Sequence, residues 1–113
     1  MTCELRVRDT DGVREYLCNE ASVARLIPQG DNYILSIDTV GAWKYPVDDK
    51  MAVGDVSLIY WRTTFTNYDA EFVGYDDGGR RELISVRIKL KGPISDDEVK
   101  ELILRVLKEL GNG

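Results

Sequence analysis

The sequence predicts an α+β fold: a single domain over residues 1–113, built as a mainly antiparallel, strongly twisted sheet of about five to seven strands with a C-terminal α-helix packed on one face. Three observations predict it. Short runs with apolar residues at every second position recur along 1–91, turn signals containing Gly, Asp and Asn separate them, and the last stretch, about 95–110, changes to helical spacing. At 113 residues, 43% hydrophobic and 31% charged, the chain suits one core and lies outside the compositions of disordered chains and disulfide scaffolds.

In Cys3 to Arg8, the residues Cys3, Leu5 and Val7 alternate with Glu4, Arg6 and Arg8, the period of a strand with one buried face. Asp9-Thr10-Asp11-Gly12 then turns the chain, because Asp-Gly accepts the positive φ of a tight turn. It lacks the third acid and the closing glutamate of a calcium loop. Val13 to Ile27 is open to two readings. As a helix it places Val13, Tyr16, Leu17, Ala24 and Ile27 near one face and stops at Pro28; as a hairpin, Val13 to Cys18 pairs back onto the first strand and Val23 to Ile27 follows after Asn19. The hairpin is favoured, since Asp-Gly lies between two short strand-like runs, and either way Tyr16, Leu17 and Ile27 are expected in the core.

After the polar cluster Gln29-Gly30-Asp31-Asn32, Tyr33 to Val40 is a strand with Tyr33, Leu35 and Ile37 on one face. Gly41 to Lys50, with Pro46 and Asp48-Asp49-Lys50, reads as an exposed connection bearing Trp43 and Tyr45. Val53-Gly54-Asp55 leads into Val56 to Arg62, whose β-branched and aromatic content suits the middle of the sheet. Thr63 to Asn67 turns the chain and Tyr68 to Tyr75 alternates again. Asp76-Asp77-Gly78-Gly79 is a hairpin turn, beyond which Ile84, Val86, Ile88 and Leu90 line one face of a long strand and Ser85, Arg87, Lys89 and Lys91 the other.

The helix is the best-specified element. Ser95 and Glu98 form a capping box, Ile94 and Val99 a hydrophobic staple, and Asp96-Asp97-Glu98 place negative charge at the positive end of the helix dipole. Val99, Leu102, Ile103, Val106 and Leu110 make an apolar stripe that needs the sheet beneath it, and Gly111 is a C-cap.

Composition narrows the chemistry. Without a single histidine, the chain has no imidazole general base, no histidine metal ligand and no Ser-His or Cys-His pairing. No catalytic residue, metal ligand set or cofactor motif is assigned: neither GxGxxG nor GxxxxGK[ST] occurs, and the adjacent pairs Asp48-Asp49 and Asp76-Asp77 read as turn charge. Cys3 and Cys18, outside any CxxC pair, are expected as reduced structural thiols, the alternative being a disulfide between them that closes a loop near the N-terminus. Met1 to Arg6 lacks the apolar run of a signal peptide, and no stretch approaches the roughly 20 apolar residues of a membrane span, so a cytoplasmic chain without membrane contact is expected.

Charge is polarised along the sequence. Residues 31–77 carry nine acids against three bases, whereas 80–91 carry Arg80, Arg81, Arg87, Lys89 and Lys91 against Glu82 alone. Neighbouring strands of opposite charge can satisfy each other through cross-strand pairs. Alternatively, the acidic region with its aromatics is a protein-binding face for a basic partner, because aromatics anchor interfaces and charge speeds encounter. Its candidate residues are Trp43, Tyr45, Asp48, Asp49, Tyr68, Asp69, Tyr75, Asp76 and Asp77, with Trp43 the anchor and Trp61 assigned to the core. A sequence pI near 4.7 disfavours nucleic acid, although Val53-Gly54-Asp55-Val56 and the basic Arg87, Lys89 and Lys91 would suit an SH3-like barrel module binding nucleic acid or peptide. A two-fold homodimer through an exposed strand edge is the other expected association.

The strand Val56-Ser57-Leu58-Ile59-Tyr60-Trp61, the aromatic strand ending Phe72-Val73-Gly74-Tyr75-Asp76-Asp77-Gly78-Gly79, and the long strand leading through Gly92-Pro93-Ile94 into a closing helix resemble the Imm-type immunity proteins of bacterial polymorphic toxin systems, over roughly residues 33–111. That resemblance implies a small acidic cytoplasmic protein, without catalysis of its own, that binds a cognate toxin and blocks it by occlusion.

Overall fold

The computed structural model describes residues 3–111; Met1, Thr2, Asn112 and Gly113, the ends of the predicted 1–113 domain, lie outside the described residues. Eight strands and one helix follow in chain order: β1 (Arg6–Thr10), β2 (Val13–Cys18), β3 (Ala21–Gln29), β4 (Asn32–Ala42), β5 (Asp49–Val53), β6 (Val56–Phe65), β7 (Tyr68–Asp76), β8 (Arg81–Lys91) and α1 (Asp96–Gly111). All neighbouring strands pair antiparallel, in the order β1-β2-β3-β4-β8-β7-β6-β5. The sheet is thus two four-stranded meanders whose fourth strands, β4 and β8, meet at the centre. The α+β expectation stands with one strand beyond the expected range. The Val56 run belongs to β6, one strand in from the edge, and β1 and β5 remain unpaired on their outer sides, so the sheet does not close into a barrel.

Two-residue loops set this register. Thr10 pairs with Val13, and Asp11 and Gly12 both take positive φ (52° and 80°), the signature of the hairpin turn whose twist matches that of the strands. Asn19-Glu20 and Thr66-Asn67 adopt the same pair of left-handed conformations between Cys18–Ala21 and Phe65–Tyr68. The Asn19-Glu20 turn resolves Val13 to Ile27 as hairpin rather than helix, with Tyr16 opposite Ala24.

Alternation then builds one core face. Tyr16 of β2, Leu26 of β3, Leu35 and Ile37 of β4, Val86 and Ile88 of β8, and Phe72 of β7 are buried in one cluster with Val99, Leu102, Ile103 and Val106 of α1, which packs over β4, while Phe72 is enclosed by Tyr45, Trp61 and Phe65. Each such side chain is worth about 1.5–3 kcal/mol in removing apolar surface from water. The capping box forms: the Glu98 amide donates to Ser95 Oγ at 3.2 Å, and the Ser95 hydroxyl donates to Glu98 Oε1 at 3.0 Å. Tyr16 ties the helix start to the sheet, its hydroxyl donating to Asp96 Oδ1 at 2.7 Å while Arg14 Nη1 lies 3.3 Å from the same oxygen. Burial, and secondarily the Asp96 carboxylate, push the Tyr16 hydroxyl well above the ordinary tyrosine range.

The connection from β4 to β5 runs from the centre of the sheet to its far edge. Four interstrand spacings of about 4.8 Å must be crossed, roughly 19 Å, and the six residues Trp43 to Asp48 span this when extended. The segment lies on the core face, so its aromatics pack instead of projecting. Trp43 is only 9% exposed; its indole N–H donates to the Tyr45 carbonyl at 2.8 Å, and its ring lies edge-on to Tyr45. Tyr45 in turn stacks on Trp61 at 5.2 Å between centroids and meets Phe72 edge-on. Gly74 makes room for the indole: a Cβ there would press into the Trp43 ring and stand 2.7 Å from the Glu82 carbonyl oxygen. Beside it, Ile84 is the extra residue of a bulge, since Val73 pairs with Ser85 and Gly74 with Leu83. Ile84 is therefore half-exposed and does not join Val86, Ile88 and Leu90 in the core.

Cys3 and Cys18 form a disulfide, which corrects the expectation of reduced thiols. The β1–β2 hairpin carries Cys18 back beside Cys3, with their Cα atoms 5.8 Å apart. Among the described residues, no helix is long and apolar enough to cross a membrane.

Two stability outcomes are expected. Closing a loop across a separation of 15 residues is worth about 3 kcal/mol through restriction of the unfolded chain, so reduction or Cys18→Ser should lower the free energy of urea unfolding by that amount. Gly74→Ala should cost about 1–3 kcal/mol by overpacking against Trp43 and the β8 backbone, visible as a lower thermal midpoint; an unchanged midpoint would show that the indole is not seated there.

Candidate functional site

Among the described residues, the sheet face opposite α1 carries no second layer, and the side chains on it form an ordered row. Register aligns Arg8 with Glu15, Glu15 with Arg25, Arg25 with Ser36, Ser36 with Arg87, Arg87 with Glu71 and Glu71 with Arg62. Asp49 of β5 extends the row, its Oδ2 lying 3.9 Å from Arg62 Nη2. One transverse line of nearly alternating charge therefore crosses all eight strands. In the inner strands it arises because Arg25, Ser36, Arg87 and Glu71 are each flanked by two buried neighbours, Ala24 and Leu26, Leu35 and Ile37, Val86 and Ile88, and Ala70 and Phe72. Arg8 pairs with Glu15 at 3.1 Å, and Glu71 lies between Arg62 at 3.3 Å and Arg87 at 3.8 Å. The Arg8 guanidinium holds the Glu15 carboxyl below the ordinary glutamate range.

Beside the row lies a shallow groove of about 540 Å³ lined by Gln29, Ile34, Arg62, Thr63, Thr64, Asp69, Ala70, Glu71, Arg87 and Lys89. Ile34 and Ser36 point to this face yet are buried under their charged neighbours. Among the described residues, Lys89 and Arg25 have no ion-pair partner, so the centre of the face carries cationic charge not neutralised within the chain.

The residues singled out in the sequence are only partly brought together. Trp43 is buried, which corrects its assignment as an exposed anchor, and Tyr45 and Tyr68 pack against the core. Asp48 and Asp49 stand at the start of β5 and Asp76 and Asp77 at the end of β7, with Lys50 joining Asp49 through its amide to Asp76 through its ammonium, while Asp69 lies beside the groove. Most of these acids hold the backbone. Asp48 Oδ2 accepts the Arg62 amide at 2.8 Å, and Asp49 Oδ1 accepts that of Lys50 at 2.9 Å. Asp76, 9% exposed, accepts the Gly78 amide at 2.8 Å and Arg81 Nε at 2.9 Å, with Lys50 Nζ at 3.6 Å. Asp77 Oδ1 accepts the amides of Gly79 and Arg80, and its Oδ2 accepts the Tyr75 hydroxyl at 3.2 Å. These bonds favour the ionised carboxylates. The Gly78 amide and then Arg81 hold Asp76 below the ordinary carboxylate range, and the Gly79 amide does the same for Asp77. Asp77 in turn raises the Tyr75 hydroxyl.

The charge polarity of the sequence is thus largely consumed in cross-strand and turn pairing. Reasoning along the chain missed the row itself, since Arg8, Glu15, Arg25 and Arg62 acquire meaning only through the strand order. The available signal was the recurrence of a charged residue at the outward position of successive strands.

No known family, no curated protein and no solved structure matches the chain.

Asp76 and Asp77 contribute stability that is fully present above the unfolded carboxylate pKa of about 4 and is lost as pH falls through their lower folded values. The urea midpoint should therefore fall as pH drops from about 4 toward 2. Asp76→Asn should lower the midpoint at neutral pH and flatten this acid limb; a pH profile identical to the parent's would remove Asp76 from that role.

Proposed function

We propose that the chain is a non-enzymatic protein-binding domain, most concretely an immunity protein that neutralises a cognate toxin by occlusion. The observation that carries this reading is the ordered, uncovered sheet face with its charge row and groove. Glu15, Glu71 and Arg62 there are held by cross-strand partners, so these side chains have less conformational entropy to lose on binding. Fixed charges of both signs also specify one partner against others, because misaligned like charges are penalised.

The partner surface moves accordingly. Trp43 and Tyr45 serve the core, whereas Arg25 and Lys89 offer unneutralised cations at the centre of the face, with Asp49 and Asp69 toward its margins. A partner matched to this pattern presents acids to the centre and bases to the margin, in place of the uniformly basic surface expected from composition. The disulfide favours an oxidising compartment over the cytoplasm as the place of action.

The test is retention of protein from lysate of the source organism on the immobilised chain, compared with a variant carrying Arg25→Glu and Lys89→Glu. One protein held in stoichiometric amount, released by the double substitution and losing its toxicity when the parent chain is co-expressed, is the expected result. Nucleic acid eluting with added salt would replace this reading with the nucleic-acid one, and retention indifferent to both substitutions would remove the open face as the interface.

A further inference from the structure

The two edges of the sheet are built differently. β1 carries Arg6, Arg8 and Asp9, each engaged with an oppositely charged side chain, Glu20, Glu15 and Arg14 respectively. Such a charged edge discourages a further strand. β5 has charge only at its start, where Asp49 lies near Arg62 and Lys50 near Asp76; its last three residues, Met51, Ala52 and Val53, are uncharged, every residue in it is exposed, and Met51 and Val53, on the same side two residues apart, are 50% and 49% exposed. Its Lys50 is drawn toward Asp76 on the core side, away from the edge.

The hydrogen-bonding parity of β5 is fixed by its hairpin. Val53 and Val56 close a two-residue loop and form a hydrogen-bonded pair, so Met51–Leu58 and Asp49–Tyr60 are the next pairs of that kind. The backbone groups of residues 49, 51 and 53 therefore face β6, and those of Lys50 and Ala52 face outward with no strand to meet them. We propose that this edge is the dimerisation strand of the protein, pairing antiparallel with β5 of a second copy about a two-fold axis at Ala52.

The choice of a second copy rests on self-complementarity. With the axis at Ala52, the two Ala52 residues exchange both backbone hydrogen bonds, and Met51 of each copy lies opposite Val53 of the other, so the exposed apolar pair covers itself twice. The small Ala52 side chains meet on the core side and leave Lys50 free to keep its bond to Asp76. Shifting the axis to Lys50 would set two lysines directly opposite each other, a destabilising arrangement. A pairing of β5 with β1 of another copy would oppose Met51 and Val53 to an edge of engaged charges and would leave both free edges open to further copies, in a ring or a filament, whereas the two-fold pairing closes at two copies. The product is a continuous sixteen-stranded sheet, and the inference stands apart from the open-face reading of function.

Sedimentation of the purified chain across a concentration series tests it, together with Met51→Lys and Ala52→Pro. Proline at 52 removes only an outward N–H and leaves the β5–β6 ladder intact. The expected result is a concentration-dependent dimer whose dissociation constant rises at least about tenfold in each variant, with circular dichroism unchanged. Ala52→Cys gives an independent reading, since mild oxidation should link two copies through position 52 while Lys50→Cys links poorly. A monomer at all concentrations, or a dimer indifferent to Met51→Lys and not captured through position 52, overturns the proposal; a monomer that gains a strand only with a foreign peptide does so too.

Discussion

The antiparallel pairing of β4 with β8 is the constraint on which the rest of the molecule depends. It runs from Asn32–Lys91 at one end to Ala42–Glu82 at the other and is the only link in the sheet between the two meanders among the described residues. Its parity places Leu35 opposite Ile88 and Ile37 opposite Val86 on the face that α1 covers. The same parity turns Ser36 and Arg87 outward. A slip of one residue would exchange these faces, burying Arg87 and Lys89 and exposing the core, so the apolar period fixes core and charge row together. The helix follows β8 directly and is held over β4 by the same apolar surface, with the Tyr16–Asp96 hydrogen bond as a polar pin at its start.

Much of this was legible in the sequence, and the reasons are local. Alternation in Tyr33 to Val40 and in the run from Val86 to Leu90 exposes the strands directly, and Ser95 with Glu98 states the helix start in two residues. What escaped was information carried by other strands. Asp49 to Val53 is too polar and too short to show a period and becomes a strand only because Gly54-Asp55 folds it against β6. Trp43 sits among polar residues, yet it is buried because its segment must cross the core face and because Gly74, far along the chain, leaves a space of the right shape. The pairing of Cys3 with Cys18 likewise needed the hairpin between them.

The candidate site divides along the same line. Acids next to turns were visible as acids, but their work in capping Gly78, Gly79 and Arg62 amides depends on backbone geometry that composition does not encode. The charge row is the opposite case. Apart from the buried Ser36, every member is an ordinary charged surface residue in its own strand, and only lateral alignment makes a surface with a pattern. Patterned faces of this type are a property of strand order more than of motif, which is why no short signature marks this one.

The division into two meanders has a consequence for how the chain reaches this state. Within each half, contacts join strands separated by loops of only a few residues, and such short closures cost little entropy and form quickly. The central seam is different, because it must bring together residues as distant as Asn32 and Lys91, and the connection through Trp43 and Tyr45 has to be laid across the second half before the seam can be covered. Assembly of the halves, not formation of either, then sets the pace. Until the seam closes, β4 and β8 are open apolar edges, and this is the interval in which the chain is most exposed to association with others of its kind.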